Sequence, residues 1–200
     1  TSHYGTGGTH DGNLIATAVR SVSAIDATSG YVTDETAVVT EIAGGASAGA
    51  SSRLRSVQTG VLNDVSNWCL GRSRGAQVTA SHTLAGGAAI TRSFSQEWDG
   101  PKCRPTERRI EPGDSQWQVI YRLAYDTFGN PAAIGIEGAG TTARTTAIDW
   151  GSRGQLPIRI VDPLAQATQL SWDHGHGLLL AMTDPNALTM RWSYRRFRLP

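Results

Sequence analysis

The 200-residue chain reads as all-β: an antiparallel sheet of consecutive β-hairpins. Three observations predict this. Charged residues make up 18% of the chain and glycine is abundant at 23 residues, against roughly 25% charged residues in ordinary globular domains. That balance favours strands and turns over helices, which need Leu, Glu, Lys and Ala at helical spacing. Several short stretches alternate apolar and polar residues and end in Gly, Pro, Asn or Asp. The last third repeats itself every 22 to 25 residues.

Residues 1–60 form a small-residue-rich β-meander. Ala16 to Ile25 alternates in part, through Ala16, Ala18, Val22 and Ala24. Asp26-Ala27-Thr28-Ser29-Gly30 is a turn, and Tyr31 to Ile42 is a second extended stretch carrying Val32, Val38 and Val39. Ala43 to Ser52 holds only Ala, Gly and Ser, so it cannot contribute to a core and reads as a linker. Gly5-Thr6-Gly7-Gly8 has no strand before it and no helix after it, which leaves a loop rather than a nucleotide-binding motif.

Residues 61–124 form short strands that lead into the repeats. Asn63 to Leu70 allows one helical turn closed by Gly71. Gln77 to Leu84 alternates, Gly86-Gly87 reverses the chain, and Ala88 to Trp98 returns with Ile90, Arg92, Phe94 and Gln96. Glu111-Pro112-Gly113-Asp114 is a turn. From Gln116 to Tyr125 apolar residues occupy every second position (Trp117, Val119, Tyr121, Leu123, Tyr125), the clearest strand pattern in the chain.

Residues 125–200 carry the repeat. Asp162-Pro163 recurs 22 residues later as Asp184-Pro185, and Trp150, Trp172 and Tyr194 follow one another at intervals of 22. Tyr125-Asp126-Thr127-Phe128-Gly129-Asn130 opens the same cycle 25 residues before Trp150, and Glu97 to Gly100 resembles a degenerate earlier copy. In each cycle an aromatic ends a strand, and a polar turn with Gly129, Gly154 or Gly177 reverses the chain. A strand follows (132–136, 156–161, 178–182), then a second turn, built on Asp-Pro in the last two cycles, and a Thr-containing return strand. Asp suits the first and Pro the second position of a type I turn. One cycle is therefore one hairpin, and hairpins laid side by side bring the aromatics into a ladder.

These residues resemble the RHS (YD-repeat) family. Tyr125-Asp126-Thr127-Phe128-Gly129-Asn130 is close to the family's YD-x-x-G-[RN] core, and Asp184-Pro185-Asn186-Ala187-Leu188-Thr189 with Trp192-Ser193-Tyr194 is similar to its D-P-x-G-x-x-T…W-x-Y passage. Trp68 to Arg72 and Trp98 to Cys103 look like the stretch before the repeats in bacterial members. The resemblance implies an open piece of a larger spiral β shell, as in polymorphic toxins and the related Tc-toxin B/C cocoon. It also implies that the partners are the remaining repeats of the shell and its enclosed C-terminal toxin segment, in a secreted or cell-surface parent protein. Two departures stand out. Ala187 replaces the family glycine, and Tyr194-Arg195-Arg196-Phe197-Arg198 stands where Y-D-x-x-G belongs, which points to a truncation or altered reading frame after Tyr194.

No chemistry-bearing pattern competes with this reading. The repeat-defining residues are structural: Tyr125, Asp126, Gly129, Trp150, Gly154, Asp162, Pro163, Trp172, Asp173, Gly177, Asp184, Pro185 and Tyr194. No catalytic, cofactor or metal residues are assigned. Trp172-Asp173-His174-Gly175-His176-Gly177 holds two imidazoles and a carboxylate, but these fall in the repeat's polar reversal and lack further ligands. Asp184-Pro185-Asn186-Ala187-Leu188 is similar to the self-cleaving end of RHS shells, yet its place in the register makes it a repeat turn. The net charge of +1 selects neither nucleic acid nor membrane, and Arg191, Arg195, Arg196 and Arg198 read as a solvated tail. The longest apolar run, Leu178 to Met182, is far short of the ~20 residues of a bilayer span. Cys69 and Cys103 lack zinc-site spacing and read as two buried thiols in preference to a disulfide. The expectation is a non-catalytic shell segment. The alternative, a carbohydrate-binding or adhesive module, requires a row of exposed aromatics for glycan contact.

Overall fold

A computed structural model describes residues 2–4, 14–41, 49–83 and 88–194. The chain is all-β, antiparallel and built from consecutive hairpins. It divides into two compact units, Thr1–Asp114 and Ser115–Pro200. The sequence reading set its boundaries after residues 60 and 124, but both lie within strands. Gly60 sits in the middle of the fourth strand and Ala124 near the end of the eighth. The first unit ends at the Pro-Gly turn Glu111–Asp114, closed by the Asp114 N–H donating to the Glu111 carbonyl at 3.1 Å.

Among the described residues, unit 1 holds β1 (Ser2–Tyr4), β2 (Leu14–Ile25), β3 (Val32–Glu41), β4 (Ser51–Asp64), β5 (Cys69–His82), β6 (Ile90–Asp99) and β7 (Arg104–Ile110). Each pairs antiparallel with the next. The β2–β3 and β5–β6 hairpins match the sequence expectation. The Gly86-Gly87 turn, the loop at residues 5–8 and residues 43–48 of the linker lie outside the described residues. Ser51 and Ser52, read as linker, begin β4 instead. Val65–Trp68 is a turn, with the Trp68 N–H on the Val65 carbonyl at 3.2 Å, and Gly71 lies in β5 rather than capping a helix.

Why β4 and the first half of β5 escaped the pattern is physical. Directly opposed residues share a face. One cross-strand row runs Arg20, Ala37, Leu54, Ala80, Ile90, and the neighbouring row on the other face runs Ser21, Thr36, Arg55, Thr79, Thr91. The second face is held by polar pairs: Arg55 to Asp34 at 2.7 Å and the Thr79 and Thr91 hydroxyls at 3.0 Å. Strands whose partners are hydroxyls and ion pairs carry little apolar alternation to read. Gly75 interrupts β5 for a steric reason. A Cβ there would lie 2.6 Å from Thr59 Oγ1, beside the register shift at Gln58–Val61 of β4, and 2.7 Å from the Phe94 carbonyl oxygen of β6, so both neighbouring strands crowd the position.

Unit 2 holds β8 (Val119–Tyr125), β9 (Pro131–Gly138), β10 (Arg144–Asp149), β11 (Arg159–Val161), β12 (Ala167–Asp173), β13 (Leu178–Thr183) and β14 (Thr189–Arg191). These also pair in chain order. Gln116 and Trp117 stand in a turn, so β8 starts two residues later than its alternation suggests. Its best-buried residue is Ile120 at 7% exposure, on the opposite face from Val119 and Tyr121. Both faces of this strand thus carry apolar residues.

Burial is slight. Among the described residues only Ala50, Cys69, Ala76 and Ile120 are buried apolar residues, and Leu54, Ile90, Leu164 and Leu188 stay about half or more exposed. Hydrogen-bonded ladders and turns, more than a two-layer core, hold these hairpins together. Among the described residues no helix is long and apolar enough to cross a membrane.

The cysteines correct the sequence reading. Cys69 and Cys103 form a disulfide with Cα atoms 5.4 Å apart. They are 34 positions apart in sequence but only β6 separates their strands. The 3-10 turn at Gly100–Lys102 and a left-handed Cys103 (φ 54°) aim the second sulfur back at the start of β5.

Candidate functional site

The repeat-defining residues line the two turn-bearing edges of unit 2. Turns at 126–130, 150–158 and 174–177 fall on one edge, because antiparallel neighbours alternate direction, and those at 139–143, 162–166 and 184–188 fall on the other. The aromatics stand on the first edge in equivalent surroundings. Trp150, just after β10, donates its indole N–H to the Pro131 carbonyl at the start of β9 (2.8 Å). Trp172, near the end of β12, donates to the Pro157 carbonyl ahead of β11 (2.7 Å). Tyr194, after β14, donates its hydroxyl to the Leu179 carbonyl at the start of β13 (2.9 Å). Each return strand is thereby pinned to the outgoing strand of its own hairpin. Tyr125 closes β8 opposite Pro131. In unit 1 Trp98 of β6 does the same to the Ser73 carbonyl of β5 at 2.8 Å, at the position read as a degenerate earlier copy.

Three Asp-led turns are superimposable in their bonding. Asp162 and Asp184 each accept two backbone N–H groups on Oδ1, from Leu164 and Gln166 and from Asn186 and Leu188, all at 2.8–2.9 Å. Each carbonyl takes the N–H three residues on, from Ala165 and Ala187, both at 3.0 Å. Pro163 and Pro185 follow the Asp, where the fixed proline φ suits the turn. Asp126 builds the same turn, with the Gly129 N–H on its carbonyl (3.2 Å) and the Asn130 N–H on Oδ1 (2.8 Å), although it stands on the aromatic edge. The Asp173 turn differs. Asp173 is still paired within β12, and its Oδ1 accepts the Gly175 N–H at 2.9 Å, with Gly177 at φ 68° one position further along. The cycles thus share their aromatic pin, while their turns are of two kinds.

The fourth turn position is left-handed in all three Asp-led turns: Gly129 at φ 96°, Ala165 at 64° and Ala187 at 65°. An L-residue is strained there by roughly 1–2 kcal/mol, partly offset by the greater unfolded-state entropy of glycine. Ala187→Gly and Ala165→Gly are each expected to raise unit 2 stability by about 0.5 kcal/mol, read as a higher urea midpoint; a lower midpoint for both would contradict this turn assignment. Gly154 combines a left-handed φ of 62° with close approach. A Cβ there would lie 2.3 Å from the Phe128 ring, and Asn130 Nδ2 donates to the Gly154 carbonyl at 2.7 Å, which ties successive turns along the aromatic edge.

Turn carboxylates also set the pH response. The Ser29 hydroxyl and backbone N–H hold Asp26 below the ordinary value of 3.8, and the Ser66 hydroxyl and Asn67 do so for Asp64. At Asp126 burial pushes the carboxyl up, but N–H groups of Asn130, Gly129 and Phe128 outweigh it. Such groups stabilise the fold above their unfolded value and lose that contribution as they protonate. The melting temperature is expected to be level from about pH 7 to 5 and to fall as the pH drops through 3.8 and below. A melting temperature that rises on acidification would contradict it.

The histidine loop gathers little. His176 Nδ1 lies 2.9 Å from Asp173 Oδ2 and lowers the Asp173 pKa, while burial opposes. His174 Nδ1 is buried with no hydrogen-bond partner. Among the described residues no three His, Cys, Asp or Glu side chains converge as metal ligands. Both Asp-Pro carboxylates are occupied by turn N–H groups. No protein-family model matches the chain, and no curated protein matches it.

Sequence reasoning missed the partners of the aromatics. Pro131 and Pro157 each begin or precede an outgoing strand, where a proline has no N–H to give the ladder but keeps its carbonyl as an acceptor. Their placement about one strand before each Trp was the available signal.

Proposed function

We propose that the chain is a non-catalytic structural segment of an RHS/YD-repeat protein, part of a β shell that encloses or presents a C-terminal toxin. The observation that carries this is the repeated pin: Trp150, Trp172 and Tyr194 each bond an outgoing strand's carbonyl within successive hairpins. A unit that closes on its own hairpin can be added indefinitely along a sheet, which is how a long wall is built from short repeats. Thin burial supports the same reading, since a wall segment relies on further strands and contents to cover its apolar residues. The disulfide suits a secreted or surface protein, because such bonds persist in oxidising compartments. The indole N–H groups of Trp150 and Trp172 are spent on backbone carbonyls, which favours a packing ladder over a sugar-stacking row.

Two measurements test the proposal. Reading the coding DNA on either side should reveal further cycles at about 22-residue spacing, including an intact Y-D-x-x-G in some frame after Tyr194. Limited proteolysis of the parent polypeptide should leave its C-terminal segment uncut until the sheet is unfolded. Flanking DNA with no further cycle in any frame would overturn the reading.

A further inference from the structure

We propose that Cys69–Cys103 is a redox latch: a thiol reductant unlocks one end of unit 1 and leaves unit 2 folded. This inference stands apart from the shell reading. The bond joins the first residue of β5 to the residue before β7 and so spans β6, the one covalent tie across ladders otherwise held by hydrogen bonds and side-chain contacts. Around it the sheet end is held by polar contacts. Asp64 accepts the Ser66 hydroxyl (2.6 Å), the Asn67 N–H (3.1 Å) and Asn67 Nδ2 (2.7 Å), which shapes the 65–68 turn. Arg104 pairs with Asp99 at 2.7 Å across the β6–β7 reversal. Arg72 Nε lies 3.3 Å from Cys103 Sγ, and its guanidinium stands 5.7 Å from the centre of the Trp98 ring. Trp98 in turn donates to the Ser73 carbonyl. Cys69 is the largest fully buried side chain of the described residues, at 1% exposure, and Ala76 is the nearest other buried apolar residue along the chain. With so little core at this end, the covalent bond is the principal constraint on it. Both cysteines of the chain lie in unit 1, so unit 2 has nothing to reduce.

Cys69 is enclosed at 1% exposure whereas Cys103 is only half-buried, so attack falls on Cys103 Sγ. A thiolate of a dithiol reductant attacks Cys103 Sγ and breaks the S–S bond. Cys69 leaves as thiolate and takes a proton from water. The reductant's second thiol then displaces Cys103, which departs as a thiol, and the reductant ends as its own disulfide. Two electrons pass from reductant to protein. Expelling a thiolate into a buried site is unfavourable, and Arg72 covers the attacked sulfur, so the latch opens slowly while the surrounding network is intact.

The test is hydrogen–deuterium exchange of the full chain with and without excess dithiothreitol, read by segment, with thiol alkylation to confirm reduction. Reduction is expected to speed exchange by roughly tenfold or more in 62–73 and 96–107, with rates unchanged across 119–191. Arg72→Ala is expected to shorten the half-time of reduction several-fold without the reductant touching unit 2. Because preformed wild-type protein is used, no variant needs to fold without the bond. Fully alkylated protein with unchanged exchange in unit 1 would overturn the latch, and so would equal loss of protection in both units.

Discussion

Replacing Trp172 with alanine is expected to lower the stability of unit 2 by about 3 kcal/mol, measured as the loss in unfolding free energy in urea. Two effects combine. The indole is half-buried, so truncation removes packing worth about 2 kcal/mol, below the range for a fully buried tryptophan. It also removes the N–H donated to the Pro157 carbonyl at 2.7 Å, and a carbonyl left without that donor costs about 1 kcal/mol more where water cannot replace it. Trp172→Phe separates the two contributions. It keeps most of the ring and loses the bond, for an expected cost of about 1 kcal/mol. Trp150→Phe should match it, since its bond to Pro131 is the same contact one cycle earlier. Trp68 is the control. It is 79% exposed in a turn, and Trp68→Ala should stay within about 0.5 kcal/mol of wild type. Equal costs at Trp68 and Trp172 would show that the pin stabilises nothing.

Removing the disulfide is expected to have the largest effect of any change in unit 1. Cys69 and Cys103 are separated by 34 positions, and chain-entropy arguments assign about 4 kcal/mol to closing a loop of that length in the unfolded state. Cys69→Ala with Cys103→Ala should therefore lower the unfolding free energy of unit 1 by about 4 kcal/mol, followed by amide hydrogen exchange of unit 1 at rising guanidinium. A loss of that size is a large share of the total for a domain of this size, so the variant is expected to be partly unfolded at 37 °C. A midpoint within error of wild type would mean that the ladders alone hold this end.

Much of the architecture was legible because turns announce themselves. Asp26 to Gly30, Glu111 to Asp114 and the two Asp-Pro pairs are local: their residues bond their own backbone, so a short window contains the whole cause. The aromatic spacing was legible for a related reason, since a hairpin of fixed length returns each Trp or Tyr to the same edge. What depended on distant partners was not legible. Ser51 to Gly60 is a strand because Thr36, Asp34 and Thr79 stand across from its Arg and Ser side chains, and none of those neighbours shows in the local pattern. Cys69 and Cys103 pair because the Gly100–Lys102 turn carries the chain back over one strand, a path that spacing alone does not fix. The likeness of the Asp126 turn to those at Asp162 and Asp184 was hidden by the preceding Tyr125, which aligned it with Trp172-Asp173 instead.

The repeated pin is tested most directly by hydrogen exchange of the tryptophan indole N–H groups in a ¹H–¹⁵N correlation spectrum of the native chain. The indoles of Trp98, Trp150 and Trp172 should exchange slowly and alike, well behind that of the exposed Trp68. If Trp150 and Trp172 exchange as fast as Trp68, or at rates unrelated to each other, the hairpins are not copies of one unit and the wall they are proposed to build has no basis.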